Sequence, residues 1–282
     1  MTDHKIALRT AKNKLFLGTV ITLSMLTMLP LILILLYIVR MGIAAINWDF
    51  LTNIPVALGQ EGGGVAHAIV GTLILVGIAS VLAIPMGIVS GIFLAEIKKS
   101  VVASIARLSL EVLQSIPSIV IGIFIYIWIV KPLGHFSAFS GGIALGIMML
   151  PVVSKSTEET LKLIPYHLKE ASMALGVPYW KTIIKVILPA GLSGILTGII
   201  IGIARIAGET APLLFTAFGN EYMETSIFKP VSALPLIIYN YALSPYDSWH
   251  SIAWGASFVL VFIVLFLNLS TKLISRRWKV KL

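Results

Sequence analysis

The chain has 282 residues, of which 58% are hydrophobic and only 12% are charged, and it contains no cysteine. This composition excludes an ordinary soluble domain, disulfide bonds and any site that depends on a thiol. The net charge of +9 would suit a nucleic-acid partner, but the basic residues flank apolar segments, which indicates membrane topology instead. We therefore expect membrane lipid and no nucleic acid around this chain.

Six apolar segments, each of a length that suits a membrane span, follow one another along the sequence. They lie at about 15–39, 66–95, 112–130, 138–153, 187–207 and 252–271. The first is longer than the core of a signal peptide and no small-residue cleavage site follows it, so we expect an uncleaved anchor. The sequence thus predicts an all-α integral membrane protein with six transmembrane helices.

Lysine and arginine are distributed unevenly between the two sides of this predicted membrane protein. Seventeen of the 21 basic residues fall in four segments on one side, which are residues 1–14, 96–111, 154–185 and 272–282. Short cytoplasmic loops are the ones enriched in Lys and Arg. Both termini are therefore predicted to be cytoplasmic, together with the polar segment 154–185.

The polar segment 154–185 contains a predicted amphipathic helix. We expect this helix to begin near Pro165 and to end before Gly176 and Pro178, because glycine caps helices and proline cannot continue them. Its apolar residues are predicted to share much of one face, and they are Leu168, Ala171, Met173, Ala174 and Leu175. Periodicity alone fits both a docking helix for a soluble partner and an ordinary surface helix.

A spaced motif runs through this segment and into the fifth span. It consists of Glu170, Ala171, Ser172, Gly176, Leu188 and Pro189. The pattern resembles the EAA motif of ABC-importer permeases, with mild departures at its third position and near its end. In that family the motif forms a cytoplasmic coupling helix seated in a cleft of the ATPase. The resemblance implies the same coupling role for these six residues.

No phosphate-binding G-x-x-x-x-G-K-[ST] loop occurs anywhere in the sequence. We therefore expect ATP and Mg²⁺ to be held by a separate ATPase, and no cofactor in this chain. No two histidines show metal-ligand spacing, so no metal site is predicted either.

The fifth span combines a stripe of glycines with two charged residues. Gly194, Gly198 and Gly202 recur at every fourth position, which lets another helix approach closely. Arg205 and Glu209 each follow seven residues after one of these glycines. An arginine in a span costs roughly 2.5–3.5 kcal/mol on insertion scales. Either the two charges form a structural i,i+4 pair, or the guanidinium offers planar donors to an oxyanion.

The run from Arg205 to Leu214 reads RIAGETAPLL and closely resembles a segment of the permease subunits of phosphate-specific ABC importers. Residues 61–72, 84–96 and 116–122 resemble further segments of that family. The resemblance implies the type I ABC importer permease fold and a substrate path at Arg205, Glu209 and Thr210. A carboxylate at Glu209 would also favour hydrogen phosphate, which carries a proton, over sulfate, which does not.

The resemblance further implies the partners and the location of the chain. The expected partners are a homologous second permease, an ATPase dimer and a phosphate-binding protein, at a bacterial or archaeal plasma (inner) membrane. Residues 1–64 would form a cytoplasmic tail, the first transmembrane helix and an external loop. Residues 65–275 would form the permease domain, and 276–282 a basic cytoplasmic tail.

Four functions are compatible with a membrane protein of this kind. In a phosphate importer ions move and no bond changes, so the chain is expected to be a transport subunit and not an enzyme. A permease for sulfate or molybdate keeps every feature except the RIAGETAPLL resemblance. A secondary transporter needs internal repeats and carboxylates at the midplane, and a membrane enzyme needs further catalytic groups. The sequence offers no evident repeat and no such cluster.

Overall fold

A computed structural model of the chain describes residues 2–56, 62–97 and 100–277. Within these ranges the chain is mostly helical, and β-pairing is limited to an isolated bridge between Phe218 and Val231. Glu61, at the start of one segment that carried the family resemblance, lies outside the described residues, as do Lys98, Lys99 and residues 278–282 of the predicted basic tail.

Helices follow one another through the described ranges, separated by short connections. In chain order they are α1 Thr2–Ala45, α2 Trp48–Thr52, α3 Ala66–Glu96, α4 Val101–Ser115, α5 Ser118–Ile125, α6 Lys131–Leu133, α7 Ala138–Lys162, α8 Tyr166–Ala174, α9 Tyr179–Thr182, α10 Leu188–Ala207, α11 Ala211–Leu214, α12 Leu234–Ala242 and α13 Asp247–Arg277. Two π-helical turns, Tyr126–Val130 and Ile183–Ile187, join α5 to α6 and α9 to α10.

Five helical stretches of the described chain are long and apolar enough to cross a membrane. They are Leu8–Ala45, Ala66–Glu96, Ala138–Lys162, Tyr179–Ala207 and Asp247–Ser270. The bent pair Val101–Ser115 and Ser118–Leu133 brings the number to six when it is counted as one broken span. The prediction of an all-α membrane protein with six transmembrane helices is therefore confirmed.

The third predicted span, 112–130, is wrong in its position and shape. The two helices that contain it are bent by 102° at Ile116 and Pro117. Proline disfavours helical backbone in the residue before it, and Ile116 is accordingly extended, with φ −67° and ψ 130°. The apolar side of α4 is exposed, with Val101, Ile105 and Leu108 among its uncovered residues.

The fourth span is longer than predicted, because α7 continues nine residues past position 153 to Lys162. Ser154, Thr157 and Glu158 are buried there, although the sequence placed them in a polar surface segment. Hydrogen bonds to neighbouring helices satisfy some of these polar groups: the hydroxyl of Ser90 on α3, for example, donates to that of Ser154, at 2.9 Å. The polar residues of this region therefore belong partly to the helix bundle.

The core lies between α3, α7 and α10. Leu75, Met149 and Ile206 are among its fully buried members, one from each helix. Close helix contact on α3 depends on glycine, since a Cβ at Gly87 would lie 2.7 Å from the Cβ of Val153. In contrast, α1 packs along α13 and its most apolar stretch is not buried by the rest of the chain.

Candidate translocation and coupling sites

The glycine stripe of α10 lies against α7. A Cβ at Gly194 would meet Thr160 at 2.5 Å, and one at Gly202 would meet Met149 at 3.2 Å. Between them, a Cβ at Gly198 would overlap the side chain of Ser156. The three glycines thus permit a close approach of the two helices.

Arg205 and Glu209 lie at the end of α10, where the helix gives way to a turn. The Nε atom of Arg205 is 4.0 Å from Oε1 of Glu209, and the two side chains are 43% and 21% exposed. No other ion pair or side-chain hydrogen bond involves either residue within the described chain. Because this contact is at the outer limit for an ion pair, most of the guanidinium donors remain available.

Thr210 follows Glu209 but faces a different part of the structure. It lines a cavity of about 310 Å³ between the end of α10, α12 and α13, together with Pro235, Ile238 and Leu260. Arg205 and Glu209 are not among the residues that line this cavity. The structure therefore brings Arg205 and Glu209 together and places Thr210 in another environment.

The predicted amphipathic helix is α8, and its end matches the sequence signal. Gly176 adopts the left-handed conformation, with φ +79°, and its N–H donates to the carbonyl of Met173 at 2.9 Å. Pro178 then starts α9 as its N-cap. Because Gly176 has no atoms near its Cβ position, its role here is to reverse the chain and not to allow close packing.

The motif residues and the predicted apolar residues of the α8 segment divide into an exposed set and an internal one. Ser172 is buried, and its hydroxyl forms a 2.9 Å hydrogen bond with that of Thr182 on α9. Leu168 packs against the core, whereas the other apolar residues predicted to share much of its face are exposed. Of the predicted docking residues, the exposed ones are Glu170, Ala171, Met173, Ala174 and Leu175.

The remaining two motif residues lie at the start of α10. Leu188 is half-buried against the core cluster, and Pro189 is exposed in the first turn of the helix. The spaced motif thus divides between the exposed surface of α8 and the base of the helix that carries Arg205.

Sequence reasoning missed the carboxylate that fastens α8 to the spans. Glu96, the last residue of α3, accepts hydrogen bonds from Nζ of Lys169 on α8 and from the hydroxyl of Tyr179 on α9. The Lys169 and Glu96 side chains are only 13% and 12% exposed. A single carboxylate at the end of an otherwise apolar span was the available signal, but nothing in the sequence identified its partner.

A second missed cluster joins α3, α4 and α7. Oε1 of Glu158 is 2.7 Å from Nε of Arg107 and 2.5 Å from Nζ of Lys162. Arg107 also donates through Nη2 to the carbonyl of Leu94, at 2.9 Å. These groups border a cavity of about 160 Å³. Glu158 is the buried centre of the cluster, and its two cations compensate for its loss of hydration.

Comparisons with known proteins agree with this fold. Residues 87–280 match the family model of binding-protein-dependent transport system inner membrane components. Two solved structures share the fold at low sequence identity. The MetNI methionine ABC transporter, in an inward-facing conformation, is 19% identical, with a TM-score of 0.64 over 76% of this chain and 95% of that one. A bacterial alginate ABC transporter, in complex with an alginate pentasaccharide-bound periplasmic protein, is 17% identical, with a TM-score of 0.70 over 96% and 97%. The predicted type I ABC importer permease fold is thereby confirmed.

Curated relatives are much closer in sequence. The phosphate transport system permease protein PstA of Yersinia pestis is 42% identical over 280 residues, which is 98% of this chain and 94% of the relative. The probable PstA of Methanocaldococcus jannaschii is 40% identical over 93% of this chain and 92% of its own length. The chain is thus a multi-pass inner-membrane transport subunit and not an enzyme, as predicted. It belongs to the binding-protein-dependent ABC importer permeases, within the group of PstA permease subunits.

Proposed function

We propose that the chain is a transmembrane permease subunit of an ATP-driven phosphate importer. The observation that carries this proposal is the half-exposed guanidinium of Arg205, held by a single loose contact, in a chain whose relatives are phosphate permeases. In ABC importers a separate ATPase hydrolyses ATP and a binding protein delivers the substrate. The permease therefore has to bind an anion briefly and change its conformation when the ATPase hydrolyses ATP.

The proposed assembly contains four kinds of subunit. A homologous, PstC-like permease would complete the path, and a PstB-like ATPase dimer would hold ATP and Mg²⁺. A PstS-like protein would deliver phosphate at the extracytoplasmic face. The basic segments support an orientation with both termini and α8 in the cytoplasm. We retain residues 65–275 as the permease domain, with α1 as a separate anchor and 276–282 as a cytoplasmic tail.

The exposed surface of α8 is the proposed contact with the ATPase. Leu175 is 84% exposed and Met173 is 36% exposed, so both are available to a groove on a soluble partner. Glu170 supplies a carboxylate on the same short helix. Ser172 and Gly176 act indirectly, by fixing how α8 turns back into α9. Leu188 and Pro189 would transmit the displacement to α10.

Arg205 is the proposed substrate contact. Its planar donors suit an oxyanion, and an arriving phosphate would compete with Glu209 for them. Glu209 would then accept a hydrogen bond from a protonated phosphate oxygen, which sulfate lacks at neutral pH. Thr210 lines a different cavity from Arg205 and Glu209. It would therefore affect the substrate path indirectly, through the turn that begins at Thr210.

Uptake of radiolabelled phosphate by cells that carry variant chains tests this proposal. Arg205→Gln should reduce the uptake rate at least about tenfold, because a neutral amide replaces a charge-assisted donor set, while the complex still assembles. Arg40→Gln is the matched control, because it removes an exposed arginine from the outer helix α1. Wild-type uptake by the Arg205→Gln complex would refute the proposed substrate contact.

A further inference from the structure

Helix α4 is loosely packed against the rest of the bundle. Of its 15 residues only Ala103 is buried within the described chain, whereas 15 of the 25 residues of α7 are buried. Val101, Ile105 and Leu108 remain exposed along its apolar side. A segment that buries few side chains is displaced at a low cost in free energy. Helix α4 can therefore move without disturbing the core between α3, α7 and α10.

A hinge lies at the end of α4. Ile116 closes the helix by donating its N–H to the carbonyl of Val112, at 3.1 Å, and Pro117 has no N–H with which to continue the ladder. The ψ angles of Ile116 and Pro117 are 130° and 135°, far from helical values, and the helices on the two sides are bent by 102°. Hinge movements are absorbed by a few residues of this kind at the ends of elements. Ile116 and Pro117 are therefore the positions about which α4 can rotate.

Arg107 makes the only side-chain hydrogen bonds that connect α4 to other helices in the described chain. Its Nε donates to Oε1 of Glu158 on α7, at 2.7 Å, and its Nη2 donates to the carbonyl of Leu94 on α3, at 2.9 Å. The hydroxyls of Ser109 and Ser115 instead donate to carbonyls within α4. Arg107 thus fastens α4 to two helices of the core. We call its two hydrogen bonds the latch.

Glu158 can release Arg107 without becoming unpaired. Lys162 binds the same carboxylate oxygen, at 2.5 Å, and it lies four residues further along α7. The bond from Lys162 therefore does not depend on the position of α4. The Arg107 side chain is already 30% exposed, so water can hydrate its guanidinium on release. For these two reasons the latch can break and form again at a moderate cost.

The gap between α4 and α7 is bordered by charged side chains. A cavity of about 160 Å³ lies between the two helices beside Arg107. Glu111 of α4 borders it together with Lys155 and Glu159 of α7. None of these three residues forms an ion pair within the described chain. Water enters such a gap more readily than an apolar one, so a movement of α4 away from α7 would hydrate charged groups.

The last turn of α3 connects the latch to α8. The carbonyl of Leu94 accepts from Arg107 on α4. Two residues later, the carboxylate of Glu96 accepts from Lys169 on α8 and from Tyr179 on α9. Helices α4 and α8 are therefore attached to the same turn of α3. A displacement of α8 that moves this turn would also act on the latch, because the contacts between them are continuous.

We propose that Arg107 is a positioning residue for transport, which holds α4 against α3 and α7 in one conformation of the permease and releases it in another. When the latch opens, α4 rotates about Ile116 and Pro117, and the cavity beside Arg107 widens. This role rests on the proposed function, because the latch has to be opened and closed by an ATPase that displaces α8.

The absence of cysteine from the chain allows a direct test. Leu110→Cys introduces a single thiol into this chain, on the α4 side of the cavity. The rate of its alkylation by a water-soluble maleimide is measured in the complete complex in lipid nanodiscs, without nucleotide and with ATP and vanadate. The two rates should differ at least about fivefold, because the thiol is open to water only when the latch is open. Equal rates in the two states would overturn the inference.

Arg107→Gln and Lys162→Gln are a matched pair of variants, since each removes one cation from Glu158 but only the first detaches α4. In the state in which the thiol of Leu110→Cys reacts slowly, Arg107→Gln should raise the alkylation rate about tenfold, because a charge-assisted hydrogen bond is lost. Lys162→Gln should raise it less than about twofold. Equal increases in the two variants would mean that Arg107 only neutralises Glu158, and would overturn the latch.

Two further measurements keep the outcomes distinct. Thermal unfolding of each complex identifies a misfolded variant, and the comparison of the two nucleotide states, which needs no charge variant, then decides the question. Phosphate uptake by the wild-type complex in proteoliposomes separates the latch from the proposed function. Uptake together with equal alkylation rates overturns the latch alone, whereas absence of uptake overturns the proposed function and the latch with it.

Discussion

The ion pair between Lys169 and Glu96 allows a direct test of how α8 is connected to the membrane spans. It joins α8 to the last residue of α3, and both side chains are almost buried. Tyr179 on α9 donates to the other carboxylate oxygen of Glu96. A displacement of α8 by the ATPase would therefore reach α3 through this one carboxylate.

The magnitude follows from the exposure of the pair. Removing one partner of a fully buried pair costs about 3–5 kcal/mol, whereas an exposed pair contributes about 0–1 kcal/mol. For loss of Lys169, with the two side chains 13% and 12% exposed and Tyr179 still bound to the carboxylate, an intermediate cost of about 2 kcal/mol is expected. That change would raise the population with α8 detached from α3 roughly 30-fold.

The assay is the number of ATP molecules hydrolysed per phosphate transported by the reconstituted complex in proteoliposomes. Glu96→Lys and Lys169→Glu should each raise this ratio severalfold, because ATP hydrolysis continues while the displacement of α8 no longer reaches α3. The double exchange should return the ratio towards the wild-type value. Lys185→Glu is the control, since Lys185 is exposed on the adjoining π-helical turn and belongs to no ion pair of the described chain.

Two outcomes would show that the ion pair does not couple α8 to α3. The first is a wild-type ratio for both single charge reversals. The second is a double exchange that is as defective as the two single variants combined, which would mean that the two charges act independently.

Three further predictions concern packing, docking and selectivity. Gly198→Leu should lower the thermal stability of the purified permease, because overpacking of the contact between α7 and α10 costs about 1–3 kcal/mol or more. Gly18→Leu, at an open position of α1, should leave the thermal stability unchanged. Equal melting temperatures for the two variants would contradict the close contact. Leu175→Asp should abolish co-purification of the ATPase while the permease remains folded. Leu163→Asp, at a similarly exposed position just before α8, should still co-purify with the ATPase. An ATPase that co-purifies with the Leu175→Asp permease would exclude the exposed surface of α8 as the contact. Glu209→Gln should reduce the preference for phosphate over sulfate in competition uptake, and unchanged discrimination would show that selectivity lies elsewhere.

Features with local causes were predictable from the sequence. The ends of α8 were expected because Gly176 and Pro178 impose their conformations whatever surrounds them. The apolar spans were expected for a similar reason, since hydropathy sums over neighbouring residues. The stripe of glycines indicated a close helix contact, although only the structure identifies α7 as the partner.

Features that depend on distant residues were not predictable. Arg107 and Glu158 are 51 positions apart, and Glu96 and Lys169 are 73 apart, so no local pattern connects them. Glu158 looked like a surface residue because its burial depends on these partners. The break at Ile116 and Pro117 carried a local signal, but the apolar residues on both sides of it suggested a continuous span.

Phosphate transport by a complex that contains this chain should depend on a separate ATPase. The most direct measurement is phosphate accumulation in proteoliposomes that contain the complete complex, with ATP supplied at the ATPase and sulfate as a competitor. We expect uptake against the phosphate gradient that requires ATP hydrolysis and is insensitive to excess sulfate. Uptake that continues without the ATPase and follows an ion gradient, or that sulfate inhibits, would show that the chain is not a phosphate permease driven by ATP.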